Sequence, residues 1–216
     1  MNQQLIGILG GTFDPVHLGH LHLASQIKTL CNLDKILFVP CWQSPLRDFP
    51  KASPEDRYAM LKLAIDSGPY FAIDDRELKL HKPSFTIETL QSLREESPNA
   101  ALCLIVGIDA FCRFNEWHKW QMIPELAHLI IASRPKAPKL EQKELLSLIS
   151  ERKIERASQL KDKKAGFIYC VDINPLPIAA TTIREMIKSN QDASKFVPKA
   201  IWQYICEMGL YRSSSN

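Results

Sequence analysis

The chain has 216 residues, 45% of them hydrophobic and 24% charged, with a net charge of +3. This is the composition of one soluble α/β domain with a substantial buried core. It offers no apolar run long enough to span a membrane and no aromatic-interleaved basic run for nucleic acid. Met1-Asn2-Gln3-Gln4 lacks the basic and apolar regions of a signal peptide, so the expected compartment is the cytoplasm.

In chain order, the apolar run 4–9 reads as a strand that enters the paired glycines Gly10 and Gly11. A helix over 18–30 follows, with Leu21, Ala24, Ile27 and Cys31 along one face. A second strand is predicted at 35–39, then an irregular Pro-rich loop at 41–53. The next helix, 54–67, has Ser53 as N-cap, Pro54 at its first position, Glu55 and Asp56 in its first turn, and a stop at Gly68-Pro69. Strands at 70–74, 101–106, 128–133 and 167–172 alternate with helices at 86–96, 110–126 (interrupted), 139–151, 182–189 and 198–207. This alternation predicts a Rossmann-like, doubly wound, mainly parallel sheet with helices on both faces, in a single domain over 1–212. Residues 156–166 read as a polar connector, and the 213–216 tail is expected to fray. From Arg134 to Lys164 there are ten Lys/Arg against five Asp/Glu. Both signs recur at helical spacing over 139–156, as on a solvated helix face. The six cysteines form no CxxC pair or metal-ligand spacing, so they are expected to be buried, reduced thiols.

Sheets of this type bind ligands outside the carboxyl ends of their strands. Gly10, Gly11, Thr12 and Phe13 lie at such an end. Glycines let backbone N–H groups approach an anion, and the next helix N-terminus adds partial positive charge. His17 and His20, three residues apart, face the same way from its first turn. Thr181 at the start of a helix and Arg184 one turn on suit either a second anion site or an ordinary N-capped helix with a surface arginine. Gly107 and Asp109 end the strand 101–106. They suit either the edge of a nucleotide or a plain turn with an aspartate N-cap.

The run from Gly10 to His20, with His17-Leu18-Gly19-His20 at its end, resembles the HxGH nucleotidyltransferase superfamily. Ile178-Ala179-Ala180-Thr181-Thr182-Ile183-Arg184 resembles its C-terminal motif, with alanine at 179 and 180 where serines are usual. Pro83-Ser84-Phe85-Thr86-Ile87-Glu88-Thr89-Leu90 and Trp117-His118-Lys119-Trp120 narrow the resemblance to bacterial nicotinate-nucleotide adenylyltransferases. The likeness covers nearly the whole chain, to Gly209-Leu210-Tyr211.

The resemblance implies transfer of the adenylyl group of ATP to nicotinate mononucleotide, giving deamido-NAD and pyrophosphate, with Mg²⁺ entering on ATP and no protein metal site. It makes His17, His20 and Arg184 catalytic. It assigns ATP to Gly10, Gly11, Thr12, Phe13, His17, His20, Gly107, Asp109, Ile178, Thr181, Ile183 and Arg184. The mononucleotide falls to Arg47, Thr86, Trp117 and Arg134. Arg47 could also neutralise the triphosphate from its loop, where Leu46 replaces a usual histidine. Trp117 and Trp120 suit either an aromatic ligand wall or core packing. Other acceptors, namely nicotinamide mononucleotide or phosphopantetheine, and a non-catalytic nucleotide-binding regulatory module stay open at this point, as does oligomeric state.

Overall fold

A computed structural model describes residues 3–65, 69–135 and 137–212. Among them, seven strands form at β1 (Leu5–Gly11), β2 (Lys35–Pro40), β3 (Phe71–Ile73), β4 (Ala101–Gly107), β5 (His128–Ser133), β6 (Lys153–Ile154) and β7 (Ile168–Asp172). All pair in parallel, in the order β3-β2-β1-β4-β5-β7-β6. The chain winds outward from β1 to β3 and then returns to lay β4 on the other side of β1. The boundary between β1 and β4 is therefore the switch point, where such a sheet opens a crevice.

Helices cover both faces, because the strands bury side chains on both. On one face Leu5, Leu9, Ile36, Phe38, Cys103 and Ile105 pack with α1 (Leu18–Leu30), α2 (Pro54–Ile65), α8 (Ala180–Lys188) and α9 (Lys199–Glu207). On the other, Ile6, Ile8, Leu37, Leu102, Leu104 and Leu129 pack with α4 (Thr86–Glu96), α6 (Ile123–Leu126) and α7 (Lys143–Arg152). The short α3 (Arg76–Lys79) and α5 (Ile108–Phe111) complete the set.

The doubly wound expectation holds, and most element bounds fall within a few residues of those predicted. Ser53 caps α2 as expected, its Oγ accepting from the Asp56 amide at 3.0 Å. The predicted end of that helix, at Gly68, lies outside the described residues, as does the 213–216 tail. The interrupted 110–126 segment resolves into α5, two 3₁₀ turns and α6. Its break falls at Trp117, which is extended, and Lys119, which is left-handed at φ 51°. The α3 helix and β6 are not anticipated, since four and two residues are too short to carry a hydrophobic period. The connector at 156–166 contains a 3₁₀ turn, Ala157–Lys161.

All six cysteines are free thiols. Cys31, Cys41 and Cys103 are buried as expected, but Cys112 and Cys206 are only half-buried and Cys170 is exposed on β7. No helix among the described residues is long and apolar enough to cross a membrane.

Gly7 sits where β1 is closest to its neighbours. A Cβ there would lie 2.8 Å from Leu33 Cδ1 and 2.9 Å from Ile36 Cγ1. Gly7→Ala should therefore overpack the core and cost about 1–3 kcal/mol. A lower urea midpoint at unchanged slope is the expected result; an unchanged midpoint would show that Leu33 and Ile36 yield freely.

Candidate active site

The first turn is built around buried polar groups. Phe13 takes a left-handed conformation (φ 50°), which turns its ring inward. The ring packs over Gly11, where a Cβ would meet it at 3.1 Å, and against His20 and Phe38 at centroid distances of 5.1 and 5.7 Å. Of the residues assigned to ATP, Phe13 and Ile183 thus have core side chains, 2% and 0% exposed. Only their backbones can face a ligand.

Asp14, the next residue, is 4% exposed, and its carboxylate gathers donors from distant parts of the chain. Oδ2 accepts from the Lys51 amide (2.7 Å), and Oδ1 accepts from the Ala52 amide (3.0 Å) and from the Tyr211 hydroxyl (2.8 Å). The first two bonds fasten the end of the 41–53 loop to the turn. Arg57 on α2 is fully buried beside it. Its Nη1 donates to the carbonyls of Thr12 (2.8 Å) and Cys41 (2.7 Å), and its Nη2 to that of Trp42 (3.2 Å). One guanidinium therefore holds the loop after β1 against the loop after β2. Neither Asp14 nor Arg57 stands out in the sequence. Asp14 lies inside the motif but reads as a turn former, and Arg57 reads as an exposed helix charge.

His17 is the N-cap of α1, and its backbone N–H donates to His20 Nδ1 at 3.3 Å. The two imidazoles stack with centroids 3.8 Å apart. Gly19 leaves room for this stack, since a Cβ there would lie 3.0 Å from the His17 ring and press it aside. Burial pushes His17 down to about 4. Burial, together with the charges of His17 and Arg47, pushes His20 well below the usual imidazole range. Both rings are therefore neutral near pH 7. Since Nδ1 of His20 accepts, its proton sits on Nε2, which is left as a donor.

The second motif meets the first. Asn174 receives a hydrogen bond from His22 Nε2 at its carbonyl (2.8 Å) and donates its amide to Gln26 Oε1 (3.2 Å), so the 173–178 segment lies along α1. Ile178 comes within van der Waals range of a Cβ placed on Gly19 (3.6 Å). Ala179 and Ala180 occupy the N-cap and first position of α8, and no side chain caps the helix. The alanines remove hydroxyls and leave the amides of the first turn for a ligand. Arg184, one turn on, donates from Nη1 to the Asp14 carbonyl at 2.6 Å and from Nη2 to Thr181 Oγ1 at 3.4 Å. Its Nη1 is 3.8 Å from Asp14 Oδ2.

At the switch point, a Cβ added to Gly10 or Gly107 would meet nothing within 4 Å, so the ends of β1 and β4 border open space. An open cavity of about 510 Å³ lies at the ends of β5 and β7, lined by Arg134, Pro135, Asp172, Ile173 and Asn174. Asp109 and Arg134, expected on different ligands, are here partners. Arg134 Nε and Nη2 donate to the two carboxylate oxygens at 3.1 and 2.9 Å. Register explains the pairing: Gly107 lies opposite Ala132, so the residues two further on in each chain meet.

The other expected residues gather around the start of α4. Thr86 is the first residue of that helix, and the Ser84 hydroxyl just before it accepts from the Trp42 amide at 3.1 Å. Phe85 packs on His118 at 4.9 Å, which brings the 84–86 segment beside Trp117. Trp117 is half-buried against Phe114 (5.2 Å), and Trp120 packs edge-on against the same ring (6.1 Å). Arg47 stands exposed on its loop, and its charge bears on His20, which places it toward the phosphate turn. Glu77, a buried carboxyl that reads in the sequence as one more charge in a charged run, accepts from Thr89 Oγ1 at 2.5 Å and anchors α3 to α4. Among the described residues, no group of three or more His, Cys, Asp or Glu could hold a metal ion.

A parallel sheet with two phosphate motifs meeting beside its switch point defines a nucleotide-binding protein of the nucleotidyltransferase class. A family profile described as cytidylyltransferase-like matches residues 8–196. A protein of Methylococcus capsulatus named a probable nicotinate-nucleotide adenylyltransferase is 39% identical over 208 residues, 96% of this chain and 99% of its own. One of Pseudomonas syringae pv. tomato with the same name is 39% identical over 212 residues, 98% of this chain and 95% of its own. The chain belongs to the nicotinate-nucleotide adenylyltransferases of the cytidylyltransferase-like family. The fold is shared with the Plasmodium falciparum nicotinic acid mononucleotide adenylyltransferase solved with NaAD. The TM-score is 0.72 at 20% identity, covering 97% of this chain and 98% of that one.

The depressed histidines make a stability prediction for the ligand-free protein. Unfolded imidazoles bind protons near pH 6.5, whereas folded His17 resists until about 4. The unfolded state thus binds more protons between these values, and stability falls as pH falls through that window. His20, and buried His128 on β5, shift in the same direction. Urea midpoints from pH 7.5 to 4.5 should decline, and a His17→Asn/His20→Asn variant should decline less. Parallel profiles would show that the two rings are not the source.

Proposed function

We propose that the protein transfers the adenylyl group of ATP to nicotinate mononucleotide, releasing pyrophosphate and forming deamido-NAD. The observation that carries this reading is the convergence, beside one crevice, of the His17–His20 pair, the uncapped start of α8 and Arg184. In the step proposed, a phosphate oxygen of the mononucleotide attacks the α-phosphorus of ATP, and the bond to the bridging oxygen of pyrophosphate breaks. A phosphate monoester is largely dianionic near neutral pH, so no general base and no protein nucleophile is needed. The protein contributes position and charge stabilisation.

Each group then has a defined task. His20 donates from Nε2 to the α-phosphoryl oxygens, as its occupied Nδ1 supports. His17 stacks on it and steadies its plane. Arg184 and the free amides at the start of α8 receive the departing pyrophosphate, and Arg47 adds charge from its loop. The adenosine lies over Gly107 toward the cavity at the ends of β5 and β7, a placement supported by the open space at that glycine. Trp117 offers a flat indole to the pyridine ring, and Thr86 at the start of α4 suits its carboxylate. Arg134 suits the mononucleotide phosphate once it exchanges Asp109 for that anion, which leaves Asp109 for ribose hydroxyls. Mg²⁺ enters as MgATP, with the phosphates supplying its ligands. The unpaired thiols support a reducing compartment, the cytoplasm.

Purified protein with ATP and Mg²⁺ should release pyrophosphate with nicotinate mononucleotide and yield a product with the mass of deamido-NAD. Turnover of nicotinamide mononucleotide or phosphopantetheine instead would move the acceptor, and ATP binding without turnover would indicate a regulatory module. His20→Ala should lower kcat by about 100-fold or more while the melting temperature holds. Activity within about twofold of wild type would remove His20 from the reaction. Trp117→Ala should raise KM for the mononucleotide roughly tenfold, as loss of one stacking contact does, and leave KM for ATP alone. An equal rise in both would point to a folding defect.

A further inference from the structure

Tyr211 lies 197 positions beyond Asp14, yet its hydroxyl donates to Asp14 Oδ1 at 2.8 Å. The chain reaches that point by a deliberate reversal after α9. Gly209 and Tyr211 both take left-handed backbone conformations, at φ 63° and 65°, and for a bulky residue such as tyrosine that conformation is unusual. Burial and the neighbouring Asp14 carboxylate hold the phenol well above its usual range, so it remains a donor. At the other side of Asp14, the backbone carbonyl receives Arg184 Nη1 at 2.6 Å. The side chain and the carbonyl share one Cα, and the buried side chain is confined to a staggered rotamer, so a shift of the first is passed to the second.

We propose that Tyr211 is a positioning residue for Arg184. The end of the chain closes on Asp14 and thereby sets the guanidinium at the start of α8. This rests on the reading of Arg184 as the pyrophosphate group. Tyr211 touches neither substrate in this arrangement; it acts through Asp14. The Lys51 and Ala52 amides hold the same carboxylate from the loop side, and Arg57 holds Thr12 two residues earlier. These keep the turn folded when the hydroxyl is removed. What the hydroxyl adds is the final orientation of Asp14, and misplacement of a catalytic group by a fraction of its radius costs rate steeply.

The test compares wild type with Tyr211→Phe, Arg184→Lys and the double variant. Pyrophosphate affinity is measured directly by calorimetry, and kcat and both KM values by pyrophosphate release. Tyr211→Phe should weaken pyrophosphate binding and lower kcat, each roughly tenfold, with KM for the mononucleotide within about twofold of wild type. In the double variant the two effects should not add, since both act on one guanidinium. Unchanged pyrophosphate affinity and kcat in Tyr211→Phe would overturn the positioning role alone. Strict additivity, or equal rises in both KM values with a collapsed melting transition, would do the same by showing a merely structural contact. Wild-type pyrophosphate affinity in Arg184→Lys would overturn the reading of Arg184 and the proposal with it.

Discussion

A buried carboxylate must find a donor for each of its oxygens, and Asp14 finds them in the 41–53 loop and at the chain's end. Its backbone carbonyl receives Arg184 from α8. Two guanidinium groups, of Arg57 and Arg184, supply the opposing charge. Four separate stretches of chain are thereby brought to one turn at the carboxyl end of β1. The phosphate motifs meet at this turn, and its bonds together spare a buried charge the cost of being stranded away from water.

The electrostatics of the site follow from the same burial. Two imidazoles stacked 3.8 Å apart could not both be charged without mutual repulsion, and desolvation already disfavours the first proton. They stay neutral, and the hydrogen bond from the His17 backbone N–H to His20 Nδ1 leaves Nε2 as the donor of His20. The permanent positive charges are carried by Arg47, Arg134 and Arg184, which ring the crevice. Arg184 lies 3.8 Å from the buried Asp14 Oδ2, whereas Arg134 pairs with Asp109, and that second pair is largely exposed, with side chains 40% and 59% accessible. An ion pair so wet is weak, and either member can exchange its partner for a ligand.

Much of the fold was legible because the buried strands read as continuous apolar runs set between segments with helix start and stop signals. Strands β1 and β4 and the 129–132 centre of β5 are continuous apolar runs, the pattern of a sheet buried on both faces, and Ser53-Pro54 announces α2. The elements that escaped notice, α3 and β6, are held by neighbours: Glu77 by Thr89, and β6 by pairing with β7. Of the candidate site, the glycines and histidines were legible as a group because they share one strand-turn-helix segment, and Arg184 was singled out through the family resemblance. Asp14, Arg57, Trp42 and Tyr211 were not, because their meaning lies in partners far along the chain.

The sequence by itself determined the strand-turn-helix at the front of the chain and the start of α2, where the Ser53 cap and Pro54 act locally. It also determined that both strand faces would be covered. Only the tertiary structure decided which side chains of the motifs face a ligand and which face the core. It turned Phe13 inward, set His20 as a donor through His17, paired Asp109 with Arg134 by strand register, and carried Tyr211 back to Asp14. The physical reason is that hydrogen-bond satisfaction in a buried site is a property of all the groups that meet there, and those groups are set side by side only when the sheet is assembled.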